Sequence, residues 1–84
     1  MAHSYEYLVC LSQAGKVTFV NDEWQGRLTG QQNVPEVRQR MYDSCPDLST
    51  FLRQAGSEGW ELVAAYAVQY PSAVQEKLIL KRAR

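Results

Sequence analysis

Histidine is almost missing from this 84-residue chain: the only one is His3, at a terminus read as frayed and solvated. Cysteine is nearly as scarce, with Cys10 and Cys45 far apart and no Cys-x-x-Cys pair. Zinc sites need clustered Cys and His at short spacings, so no metal is expected, and two cysteines make no disulfide framework. A thiol enzyme would have to join one of these cysteines to His3. Strand cysteines such as Cys10 are usually packing residues, and Cys45, at a helix start, is read the same way. Five glycines are present, but Gly56 and Gly59 follow a helix and precede a strand, so they aim no helix N-terminus at a phosphate. Glu58 and Glu61 flank Trp60 at a corner, where carboxylates are ordinarily solvated. No catalytic residue and no cofactor is assigned, and the chain is not read as an enzyme.

Long apolar runs are absent too. No stretch approaches the ~20 residues that span a bilayer, and the first residues lack the basic-then-apolar order of a signal peptide, so no membrane is expected and a cytoplasmic setting is the default. Charge of either sign shows no excess: nine Lys and Arg balance nine Asp and Glu, which provides no field to attract nucleic acid. Lys77, Lys81, Arg82 and Arg84 gather at the C-terminus as a solvated strand end and tail. With 45% apolar and 21% charged residues the composition is that of an ordinary globular domain, read as one unit over residues 1–84. A chain this short buries only about 60–65% of its unfolded surface, and self-association is a common remedy.

What is present centres on Ser44 to Val68. Ser44 reads as an N-cap, with Asp47 returning a bond in the manner of a capping box and Pro46 in the first turn. Leu48, Phe51, Leu52 and Ala55 lie on one helical face. Gly56 then stands where a left-handed residue would stop the helix. After the corner Ser57-Glu58-Gly59 the period becomes two. Trp60, Leu62, Ala64, Tyr66 and Val68 fall on one face, and Glu61, Val63, Ala65 and Ala67 on the other, so this strand is apolar on both sides. Trp60 would lock the helix to the sheet, and its loss would cost about 3–5 kcal/mol if it were fully buried.

Elsewhere Tyr5 to Leu11 has strand composition and is again apolar on both faces. Lys16 to Val20 is a second strand, and Asn21-Asp22 suits a two-residue hairpin turn into Glu23-Trp24. Residues 27–43 are hard to read: Val34, Val37 and Met41 fit a helix opened by Pro35, while Arg38-Gln39-Arg40 also fits an extended run. Residues 69–74 read as a connector stopped by Pro71, and Gln75 to Lys81 as the last strand. The expected fold is α+β, a small, mostly antiparallel sheet of three to five strands with one helix on one face. The helix permits a right-handed crossover that leaves the first and central strands parallel with the last strand between them.

Tyr5-Glu6-Tyr7, Leu52 with Gly56, Gly59-Trp60-Glu61-Leu62-Val63 and the closing Leu78-Ile79-Leu80-Lys81-Arg82 resemble a family of small bacterial domains of unknown function with a Gly-Trp-Glu-Leu signature. The resemblance covers about half the chain and implies a β-α-β-β unit, with Gly56, Gly59, Trp60 and Leu62 as structural anchors. Residues 16–43 depart from the pattern and read as an insertion, a hairpin plus an irregular loop. The resemblance implies no ligand or activity.

The aromatic count is high for so thin a core, and aromatics are enriched at protein interfaces. Tyr5, Tyr7, Trp24, Tyr42 and Tyr66 are therefore the candidate contact residues. The favoured expectation is a non-catalytic interaction module, a homodimer or a partner-binding domain, with its helix-free sheet face covered. The alternative is a small-ligand domain whose 27–43 segment closes a pocket over Trp24 and Tyr42.

Overall fold

The computed structural model describes residues 4–30, 33–71 and 73–84. His3 and the Gln31-Gln32 part of the expected loop lie outside these residues. The strands are β1 (Tyr5–Gln13), β2 (Lys16–Val20), β3 (Glu23–Trp24), β4 (Glu61–Tyr70) and β5 (Ala73–Ala83); the helices are α1 (Pro35–Asp43) and α2 (Leu48–Ser57).

Short turns set the sheet. Ala14 and Gly15, at φ 51° and 77°, join Gln13 to its partner Lys16, and Asn21 and Asp22, at φ 50° and 68°, join Val20 to Glu23. Two left-handed residues in succession give a turn whose twist matches that of the flanking strands. The Asn21-Asp22 hairpin is therefore as expected. At the other end Tyr70 pairs with Ala73, so β4 and β5 run further than the sequence suggested and the 69–74 connector shrinks to two residues. Proline suits a tight turn because its fixed φ is already right there, so Pro71 ends β4 without ending the ladder.

The five strands form an antiparallel sheet in the order β3-β2-β1-β5-β4. β1 and β4 consequently run parallel on either side of β5, the arrangement that the crossover allowed.

Two helices are present where one was expected. α2 covers one face: Cys10, Val17, Ala55, Leu78 and Leu80 are buried together, with Leu8, Val20, Leu48, Phe51, Leu52 and Trp60 against them. Its start differs from the capping-box reading. Asp47 is the N-cap but makes no side-chain bond to the helix, because its carboxylate is taken by Lys16, Nζ to Oδ1 2.6 Å. Ser44 instead closes α1. Its hydroxyl donates to the Met41 carbonyl at 2.6 Å and accepts the amides of Arg27 and Leu28. The end of α2 also moves, from near Ala55 to Ser57, so Gly56 is inside the helix. The left-handed residue is Gly59, at φ 90°, with the Gly59 amide on the Gly56 carbonyl and the Trp60 amide on the Ala55 carbonyl. This is the Schellman closure, in which the glycine sits just beyond the helix.

α1 supplies the second correction, since residues 27–43 are not an irregular loop throughout. Pro35 opens the helix at its first turn, where the missing N–H costs nothing, and Met41 is buried. Register shows which face it covers. Phe19 pairs with both Leu11 and Trp24, and a bulge at Thr18 returns Val17 to the α2 face. Phe19 and Trp24 therefore point away from α2, and Trp24 meets Tyr42 of α1 there, ring centres 6.4 Å apart. The α2-free face is thus roofed at its β2–β3 end by α1, and stays largely bare over β1, β5 and β4.

Candidate functional site

The corner after α2 is tied down by one side chain. Arg82 donates to the Glu58 carbonyl at 2.9 Å and to the Glu6 carboxylate at 2.6 Å, while its guanidinium lies 4.3 Å from the centre of the Trp60 ring. Trp60 is half-buried and immediately precedes β4, and Leu62 is 45% exposed. Gly56 lies in the last turn of α2 with open space around its α-carbon, and Gly59 carries the left-handed turn. These contacts join β1, β5 and α2 through Arg82 and Trp60; Glu61 and the half-exposed Leu62 take no part in them, so the expected anchor role of Leu62 is not met. Arg82, grouped at first with the solvated C-terminal cations, is a connecting residue.

Trp24 and Tyr42 are engaged in docking α1. Trp24 stacks edge-on against Phe19 at 5.4 Å and donates its indole N–H to the Leu28 carbonyl at 3.1 Å. The depression between Phe19, Trp24, Thr29, Gly30 and Met41 is shallow, about 280 Å³. A wider one, about 600 Å³, lies beside Cys45 and is rimmed by Lys16, Arg27, Asp43, Ser44 and Asp47. The Lys16–Asp47 ion pair and the Ser44 hydroxyl's three hydrogen bonds already engage much of its rim. Burial pushes the Cys45 thiol up despite the opposing charge of Lys16, and pushes Cys10 up to about 11, so neither favours the nucleophilic thiolate near neutral pH. Among the described residues no group of three His, Cys, Asp or Glu side chains stands close enough to hold a metal. None of the described helices is long and apolar enough to cross a membrane.

The remaining candidates lie together on the bare part of the sheet. Pairing places Tyr5, Tyr7 and Val9 of β1, Lys77, Ile79 and Lys81 of β5, and Ala64, Tyr66, Val68 and Tyr70 of β4 on the face away from α2. Tyr7 is 54% exposed, Tyr66 and Tyr70 49% each, and Tyr5 43% with the Lys81 ammonium 4.9 Å over its ring. β4 lies at the sheet edge and every residue in it but Val68 is exposed. A bulge between Leu62 and Ala64 reverses the alternation expected from Trp60 onward, so Ala65 and Ala67 share the α2 side with Leu62, while Ala64 and Tyr66 take the other.

Sequence reasoning singles out Tyr5, Tyr7 and Tyr66 but not Tyr70, which it reads as part of the 69–74 connector. Strand composition up to Pro71 was the signal available. No protein-family model, no curated protein and no solved structure matches this chain.

Proposed function

We propose that this protein is a non-catalytic interaction module that associates with itself through the bare β4 side of its sheet. The observation that carries this is β4: ten residues of which all but Glu61 and Gln69 are apolar, lying at an edge and exposed on both faces. Soluble proteins protect such edges with lysines, proline or very short strands, because unpaired backbone groups beside apolar side chains invite another chain. β4 has no Lys, Arg or Pro, and its bulge near Val63 leaves the run from Ala64 to Tyr70 regular. The half-exposed Tyr66 and Tyr70 of β4 present roughly 200 Å² between them, taking half of the 150–250 Å² such a ring offers, about a quarter of the ~800 Å² each partner contributes to a standard interface.

Sedimentation equilibrium tests the proposal: a dimer is expected at tens of micromolar, and a monomer throughout that range overturns it. The clamp of the ligand-binding alternative does not form, since Trp24 and Tyr42 pack against each other; Tyr42 and Arg38 line instead an open depression of about 720 Å³ against Gln13 and Glu76.

A further inference from the structure

The geometry points to a specific way for two copies to meet: antiparallel pairing of β4 with β4 of a second copy about a two-fold axis at Ala67, giving one continuous ten-stranded sheet. This rests on the self-association proposed above and adds its register.

The first step is to establish which backbone groups of β4 are free. Because only two residues separate Tyr70 from its partner Ala73, that pair closes the hairpin with its backbone groups facing each other. The antiparallel alternation then runs back along the strand: Val68, Tyr66 and Ala64 turn their N–H and C=O toward β5, and Gln69, Ala67 and Ala65 turn theirs outward. The far side of the sheet supplies an independent check. The same alternation makes Glu76, Leu78 and Leu80 face Ser12, Cys10 and Leu8 of β1, which leaves Val9 facing the opposite way. There the Val9 amide donates to Asn21 Oδ1 at 2.9 Å and its carbonyl accepts the Asn21 amide at 2.8 Å. Val9 is thus served beyond the end of β2 by a side chain. Ala65, Ala67 and Gln69 have no such partner among the described residues.

The second step is the register. The regular stretch after the bulge is Ala64 to Tyr70, and its midpoint is Ala67. A two-fold axis there pairs the outward groups of Ala67 with those of its own copy, and those of Ala65 with those of Gln69. On the tyrosine face it sets Tyr66 opposite Val68 and Tyr70 opposite Ala64. Each ring meets a β-branched or small side chain, the cross-strand combination that packs without collision. On the other face the axis passes between two methyl groups. The one charge on β4, Glu61, lies outside the paired stretch, so no carboxylate meets its own copy.

Charge at the axis supplies the experiment. Ala67→Lys and Ala67→Glu each place two like charges directly opposite one another, and each alone is expected to weaken dimerisation roughly tenfold or more. Mixed in equal amounts the two variants should form a Lys–Glu heterodimer about as stable as the wild type, measured by sedimentation velocity with one variant fluorescently labelled. Far-ultraviolet circular dichroism shows whether each variant is folded, and recovery on mixing cannot come from unfolded chains. A wild-type dimer that neither variant weakens, or that mixing does not restore, overturns the Ala67 axis while leaving self-association intact. A monomeric wild type overturns both.

Discussion

Gly56 and Gly59 lie three residues apart in one turn of chain, and replacing each by alanine should move stability in opposite directions. Gly56 has helical backbone, is exposed, and an added Cβ would meet nothing within 4 Å. Alanine there removes the entropy that glycine loses on folding, worth up to about 1 kcal/mol in a helix interior, and nearer half of that in a last turn that frays. Gly59 stands at φ 90°, where an L side chain is strained by about 1–2 kcal/mol, although its Cβ would find only the flexible Arg82 side chain at 3.4 Å. For a domain of this size 1 kcal/mol moves the midpoint by roughly 4–8 °C, so Gly56→Ala should raise Tm by about 2–8 °C and Gly59→Ala lower it by about 4–15 °C. Thermal unfolding by circular dichroism at a single protein concentration is the assay, because association makes Tm concentration-dependent. A lowered Tm for Gly56→Ala would refute the placement of the helix end, and with it the two hydrogen bonds to the Gly56 and Ala55 carbonyls.

Both thiols should react slowly with a disulfide reagent near pH 8 in the folded protein and quickly once urea unfolds it; fast reaction of Cys45 in the native state would contradict its burial. Because the Cys10 pKa is raised from 9.0 to about 11, the unfolded chain gives up its proton first, and stability should fall as pH rises through that window. Urea midpoints at pH 8 and pH 10 measure the fall, and Cys10→Ala should lessen it. Trp24→Ala removes the ring between Phe19 and Tyr42 and should destabilise by about 2–4 kcal/mol, less than a fully buried tryptophan because Trp24 is only half-buried. Deleting residues 27–40 should do more damage still, since it strips α1 from the sheet; a deletion variant that unfolds at the wild-type urea midpoint would show that α1 contributes nothing.

Sequence by itself determined the elements whose cause is local. The i, i+3, i+4 spacing of Leu48, Phe51, Leu52 and Ala55 announces α2, Asn21-Asp22 announces a turn that needs positive φ, and the Glu76/Leu78/Leu80 alternation places β5 correctly on its two faces. Each depends on residues within one turn or one hairpin, where propensity and period act directly. Tertiary structure decided the rest. Ser44 has the chemistry of an N-cap, but the amides of Arg27 and Leu28, far away in the chain, claim its hydroxyl, and Lys16 claims Asp47. α1 is short and weakly patterned, and holds because Trp24, on a strand eleven residues before its start, gives Tyr42 a surface to pack on. The bulge at Val63 is invisible to a period-two count, yet it reverses every side chain after it and so decides which tyrosines stand on the bare face. A local signal survives into the fold when no distant group competes for the same atoms; where one does, as at Ser44, Asp47 and Val63, only the assembled sheet settles the outcome.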